Sequence, residues 1–257
     1  HDGKVKQIVG STLSYRDDTG KGTGLRDNFF AGYYASYYAG LYAHDGLKGG
    51  HVILLNAKDS PGYASTKEAA LRALATYPGG LQAGGGITDE NAAEFLSAGA
   101  SHVIVTSYVF SNGNICYNHL DRLVSAIGRE HVVLDLSCRR LPGTTDYMIV
   151  TDRWQKFTDT KLSDRLLSDL SQWCDEFLVH AVDAEGKVNG IEEDVVRILA
   201  GSPIPVTYAG GISSVADLAK IRDLSDGHVN VTVGSALSLF GGALDYREVL
   251  NCTRSWS

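Results

Sequence analysis

Ala83-Gly84-Gly85-Gly86-Ile87 and Ala209-Gly210-Gly211-Ile212 are two copies of one phrase, and their placement decides the fold. Each copy follows a short strand-like run and precedes a segment whose apolar residues recur at helical spacing. Gly86 and Gly211 stand 125 residues apart, close to half of the 257-residue chain. In each copy a second strand-like run follows, ending in Thr106-Ser107 in the first and in Gly234-Ser235 in the second. Two half-barrels produced by duplication would give this spacing.

Outward from the repeat, short β-rich runs alternate with helical ones. Strands are expected over 51–55, 80–83, 103–105, 132–136, 177–181, 205–208 and 229–233. Helices are expected over 66–77, 89–98, 118–127, 162–173, 191–200, 214–223 and 245–251, with Thr88 capping the second and Gly128 ending the third. Parallel strands joined by helices predict an α/β fold, a (β/α)₈ TIM barrel, filling one domain over 1–257. Strands two to eight of such a series are visible. Residues 147–151 read as a β segment inside a long connection. The tyrosine-rich run 33–38 reads as part of a helix over 30–42 that turns Tyr34, Tyr38 and Leu41 to the barrel wall. The glycine-dense stretch 20–24 reads as a flexible loop.

Composition removes several function classes. The net charge of −7 disfavours a nucleic-acid partner, since such binders are usually basic. No apolar stretch reaches the roughly 18 residues of a membrane span, and no signal-peptide pattern is read. Cys116, Cys138, Cys174 and Cys252 show no C-x-x-C spacing and read as free thiols of a reducing compartment. No side chains have metal-ligand spacing, and no Ser-His-Asp signature occurs.

The glycines have a chemical reason. A phosphate needs several N–H donors converging on one point, and glycine lets the backbone approach closely and adopt positive φ. The loops after barrel strands seven and eight often bind phosphate, and here strands three and four repeat that arrangement. Gly85, Gly86, Thr106 and Ser107 are therefore one candidate phosphate site, and Gly210, Gly211, Gly234 and Ser235 the other. Two such sites imply a small-molecule substrate with a phosphate at each end, and chemistry between them.

Asp135 closes the apolar run Val132-Val133-Leu134, where a carboxylate is costly to bury without purpose. At the C-terminal end of a barrel strand it reads as catalytic. Asp183, just after strand six, is a candidate substrate contact or a turn cap. Trp154, in the long connection, could stack on a heterocycle or staple its loop. His51 begins strand two and His180 ends strand six, and the ordinary role of either is structural.

These residues sit in longer matching segments: 1–10, Leu81-Gln-Ala-Gly-Gly-Gly-Ile87, 101–107, Val133-Leu-Asp-Leu-Ser-Cys-Arg139, 176–180, 206–212 and 232–237. Across them the chain resembles the phosphoribosylformimino-aminoimidazole-carboxamide ribotide isomerases of histidine biosynthesis, in their eukaryotic form. The segments 152–159 and 77–80 are most similar to plant and algal members. The resemblance implies an Amadori rearrangement of an aminoaldose to an aminoketose, without cofactor or metal, by a monomer. It implies two catalytic aspartates, one taking the proton from C2 of the opened sugar and the other protonating the ring oxygen. Asp135 matches the strand-five acid, Trp154 a tryptophan stacked over substrate, and His51 a histidine of strand two.

Two departures follow. The family's strand-one motif reads Asp-Leu-His, and this chain begins at that histidine. The strand-one aspartate is therefore expected two residues before His1, in an upstream segment. Bacterial members carry threonine where Ala181 stands, a role that Asp183 could fill. The plant-like segments imply a plastid stroma, with the cytoplasm as the alternative. Two other readings stay open: the related cyclase subunit of the next step, and a non-catalytic protein that binds a bis-phosphorylated sugar.

Overall fold

Seven runs rich in Val, Leu and Ile form parallel strands, because a helix after each one returns the chain and covers its outer face. The structure, a computed structural model, describes residues 1–6, 32–152, 154–184 and 190–256. The loop expected at 20–24 and the start of the helix expected over 30–42 lie outside the described residues.

In chain order, α1 (Ala35–Asp45) leads to β1 (Gly50–Ile53), α2 (Tyr63–Thr76), β2 (Leu81–Gly84), α3 (Ala92–Ser97) and β3 (His102–Val105). A small hairpin, β4 (Phe110–Ser111) and β5 (Asn114–Ile115), precedes α4 (Tyr117–Ile127) and β6 (Val132–Asp135). An antiparallel insert then follows, made of β7 (Cys138–Arg140), β8 (Tyr147–Thr151) and β9 (Lys156–Lys161). The remainder is α5 (Asp164–Leu170), β10 (Glu176–His180), α6 (Glu193–Leu199), β11 (Val206–Ala209), α7 (Val215–Ser225), β12 (Val229–Thr232) and α8 (Tyr246–Arg254).

The main sheet runs β1-β2-β3-β6-β10-β11-β12, every pair parallel and every neighbour next in the β–α series. It is the sheet of a (β/α)₈ barrel, seven of whose strands lie among the described residues. Leu74, Phe95, Leu120, Leu134, Phe177 and Ile221 belong to the core that packs helices on the sheet. Ile104, Val133, Leu178 and Ala209, one from each of four adjacent strands, form a separate buried layer on the other face. Lower in the barrel, Glu176 accepts hydrogen bonds from Gln82 Nε2 at 2.7 Å and from Thr207 Oγ1.

The first described helix is fastened to the last. Tyr246 Oη donates to the buried Asp45 at 2.7 Å, Arg254 reaches the Asp45 carbonyl at 2.8 Å, and the Tyr38 ring meets Phe240. The first two tie the C-terminal end of α1 to α8, and the third ties α1 to the turn that precedes α8.

Three local expectations are corrected. Tyr34 does not face the barrel wall: it stands at the N-terminus of α1 with 79% of its surface exposed, while Tyr38 is buried. Thr88 caps no helix, because α3 starts later. Its amide instead donates to Asn91 Oδ1 at 2.8 Å, and its own hydroxyl finds no partner among the described residues. The helix expected over 162–173 is only α5, capped by Ser163, since the Leu162 amide is bonded to Tyr147 of the insert at 2.8 Å. By contrast, Ser214 forms a full capping box with Asp217 at the start of α7. Among the described residues no helix is long and apolar enough to cross a membrane.

Candidate active site

A cavity of about 1960 Å³ is lined by the strand ends of the sheet and reaches out to α1, α2, α7 and α8. Both glycine phrases reach it, as do Thr106, Ser107, Gly234, Ser235, Asp135, His51 and Trp154. The sequence candidates, scattered over 185 positions from His51 to Ser235, therefore share one space, with Asp183 as the exception.

The two glycine phrases have the same geometry. Gly85 and Gly86 have φ of 95° and 72°, and Gly210 and Gly211 have 115° and 71°. The peptide before each phrase accepts an equivalent bond: the Leu54 amide donates to Gly84 O and the Ala181 amide to Ala209 O, both at 2.8 Å. A Cβ at Gly85 would lie 2.1 Å from Leu54 O, and one at Gly210 would lie 2.6 Å from Ala181 O. In each half the first glycine is thus pressed on the carbonyl of the preceding strand. A Cβ at Gly86 would meet no heavy atom within 4 Å, so that backbone stands open to the cavity. At the second phrase a Cβ on Gly211 would meet Gly190 O at 2.2 Å, so the copies differ there. Positive φ and an open approach are what a backbone anion cradle needs.

The loops around the phrases are held by different devices. In the second half Asp217 accepts from the amides of Ser213 and Ser214, each at 2.9 Å, and from both hydroxyls. These bonds hold the Asp217 carboxyl below its usual range, against the opposing effect of burial. In the first half Tyr108 Oη donates to Asp89, Arg122 donates to Tyr108 Oη at 2.8 Å, and His119 stacks on the Tyr108 ring. The Asp89 carboxyl is lowered mainly by the Tyr108 bond. Spacing gave no warning of this cluster, because Asp89 and Arg122 come from different connections.

Asp135 ends β6 with its carboxylate fixed. Thr106 Oγ1 donates to one oxygen at 3.1 Å, while the Ser137 amide and hydroxyl donate to the other at 2.9 and 2.6 Å. Ser137 is fully buried and was not singled out by sequence, although a serine two residues after a strand-end carboxylate is a detectable pattern. Thr106, expected at a phosphate, spends its hydroxyl on Asp135.

His51 and His180 both line the cavity. Burial, and after it the charge of neighbouring His180, pull the His51 imidazole down to about 4, so it is neutral at physiological pH. The Trp154 ring lies 5.4 Å from the His180 ring, tilted by 43°. Trp154 and Asp152 flank the turn of the β8–β9 hairpin with φ of 67° and 53°, a left-handed backbone that non-glycine residues adopt only when neighbours hold it.

Asp183 does not line the cavity. Its two oxygens take Arg139 Nε at 3.1 Å and the Arg140 amide at 2.9 Å. The geometry therefore sets it apart from the other candidates. Among the described residues no cluster of three or more His, Cys, Asp or Glu side chains gathers in a way that could hold a metal ion.

A sequence profile of the histidine biosynthesis protein family matches residues 23–244. Similar proteins include the chloroplastic 1-(5-phosphoribosyl)-5-((5-phosphoribosylamino)methylideneamino) imidazole-4-carboxamide isomerase of Medicago truncatula, 53% identical over 252 residues that cover 97% of this chain and 78% of that protein. The isomerase of the same name from Neurospora crassa is 45% identical, covering 94% of this chain and 90% of its own length. That of Yarrowia lipolytica is 43% identical, with 94% and 90% covered. The chain belongs to the histidine biosynthesis protein family.

Proposed function

We propose that the chain is the aldose–ketose isomerase for which these relatives are named, converting a bis-phosphorylated aminoaldose to its aminoketose. The observation that carries this reading is the pair of glycine cradles opening on one cavity, with a fixed carboxylate on a strand between them. Along the sheet β6 and β10 separate the two cradles, which suits a substrate with a phosphate at each end. The isomerase names of the relatives do not favour the cyclase or the non-catalytic reading.

Each residue has a defined task in this proposal. Gly85, Gly86 and Ser107 hold one phosphate, and Gly210, Gly211, Gly234 and Ser235 hold the other. Holding both ends leaves the sugar ring little freedom and sets it against Asp135. Asp135, in its acid form, gives its proton to the ring oxygen as the C1–O bond breaks and the lone pair of the nitrogen on C1 forms a C=N bond, so the ring opens without a free alkoxide. Proton transfer of this kind works at heavy-atom separations of roughly 2.6–3.2 Å, and the bonds from Thr106 and Ser137 keep the carboxyl from turning away. Neutral His51 serves as a hydrogen-bonding group facing the reacting carbons. Trp154 covers the heterocycle and limits water. Among the described residues no helix is long and apolar enough to cross a membrane; the chloroplastic relative supports a plastid location, and the proposal takes the chain to act as a monomer.

The test is Asp135→Asn in a coupled spectrophotometric assay with the bis-phosphorylated aminoaldose. The amide keeps the shape but carries no transferable proton. Turnover should fall by about 10²–10⁴-fold, the usual contribution of a positioned acid, with KM little changed. Unaltered turnover would remove Asp135 from the mechanism.

A further inference from the structure

We propose that Asp183 is a positioning residue: through Arg139 it sets the β7–β8–β9 insert so that Trp154 stands over the substrate. The inference rests on the functional reading above and assigns to Asp183 a task without substrate contact.

Four consecutive residues at the end of β10 grip the insert. The His180 ring meets Trp154 at 5.4 Å. Ala181 forms a parallel bridge with Cys138, and the Val182 amide donates to Cys138 O at 3.1 Å. Asp183 then accepts from Arg139 Nε and from the Arg140 amide. The insert is thus fastened at both ends of one short rail, by Trp154 near the cavity and by β7 away from it.

A chain of contacts joins the two fastenings. The Arg139 guanidinium lies 5.6 Å from the centroid of the Phe157 ring. Phe157 pairs with Val150 across β8 and β9, and the turn between those strands carries Trp154. That turn holds Trp154 and Asp152 at positive φ, so its conformation depends on what the hairpin is packed against. Among the described residues Asp183 supplies the one carboxylate that meets β7 at both a guanidinium and a main-chain amide. With the charge removed, Arg139 is released from the rail and its hold on Phe157 loosens.

Asp183→Ala, Trp154→Ala and the double variant test this in the isomerase assay, with Asp183→Asn as a second, isosteric probe. Melting of each variant checks that it is folded. Trp154→Ala should raise KM by about fivefold to tenfold, the scale of losing one aromatic stacking partner. Asp183→Ala should raise KM in the same direction and shrink the part of the substrate-induced fluorescence change that Trp154→Ala abolishes. The double variant should be no worse than Trp154→Ala alone, because a residue that acts only through Trp154 has nothing left to position. Additive losses would overturn the proposal, since Asp183 would then act on substrate independently. A wild-type KM in both Asp183 variants would overturn it too. Absence of turnover in the unsubstituted chain would sink the functional reading, and this inference with it. Normal turnover with additive losses would sink the inference alone.

Discussion

Adjacent glycines in the first cradle should respond differently to the same small change. Gly85→Ala puts a Cβ 2.1 Å from Leu54 O, a main-chain atom that cannot rotate aside. The residue also sits at φ 95°, outside even the left-handed helical region. A left-handed conformation costs an L-residue about 1–2 kcal/mol, and an overpacked methyl typically adds about 1–3 kcal/mol. The sum, about 2–5 kcal/mol, is a large share of the roughly 5–15 kcal/mol that keeps a domain folded. Gly86→Ala meets only the first cost, because its Cβ would enter open space at φ 72°. For a protein of this size about 1 kcal/mol lowers Tm by about 2–4 °C, so Gly86→Ala should lose only about 2–8 °C and remain folded at 25 °C. Its defect should be in binding: the new methyl stands where phosphate oxygens approach the backbone, and KM should rise while kcat holds. Urea unfolding followed by tryptophan fluorescence, together with steady-state kinetics, separates the two effects. Equal destabilisation by the two substitutions would refute the steric reasoning. An unchanged KM in folded Gly86→Ala would refute the cradle.

The half-buried His51 makes stability depend on pH. Its native value of about 4 lies below the usual 6.5, so the unfolded chain takes up a proton first, and stability falls as pH drops from about 6.5 towards 4. The loss reaches at most about 3 kcal/mol, and His51→Gln should flatten that limb of a pH–urea stability profile; an unchanged limb would show that His51 is not the group responsible. Alkylation should divide the four thiols. Burial pushes the Cys138 and Cys174 thiols well up, whereas Cys116 and Cys252 are partly exposed. Mass spectrometry after iodoacetamide treatment of the native protein at pH 8 should find label on Cys116 and Cys252 first. Early label on Cys138 would mean that the insert opens readily.

The series of strands could be read in the chain because its pattern is local, and the cradles because their phrase is duplicated. Val132-Val133-Leu134 can only be a buried strand, and Gly85 and Gly210 are glycines because each neighbouring peptide leaves no room for a Cβ. The glycines are legible because their phrase recurs at half-chain spacing, although the obstructing Leu54 O and Ala181 O stand at the end of the preceding strand, and the strands are legible because their apolar runs are local. The carboxylate at Asp135 was legible for the same reason, as a charge at the end of an apolar run.

Long-range geometry decided the rest. Asp183, after a barrel strand, could be read as a substrate contact or a turn cap, and its partners Arg139 and Arg140 lie more than forty positions away in the chain. The insert was half seen: 147–151 is β8, but β7 and β9 are rich in charge, and they become strands only by pairing with it. Thr106 was read as a phosphate-site residue, and the structure adds a bond from its hydroxyl to Asp135 on a neighbouring strand. The sequence by itself determined which segments are strands and where backbone must be bare, since apolar periodicity acts on residues close in the chain and the glycine phrase is written twice. Only the tertiary structure decided which carboxylate is free to face the cavity and which is consumed in holding a loop, because hydrogen bonds between distant residues leave no spacing in the chain to read.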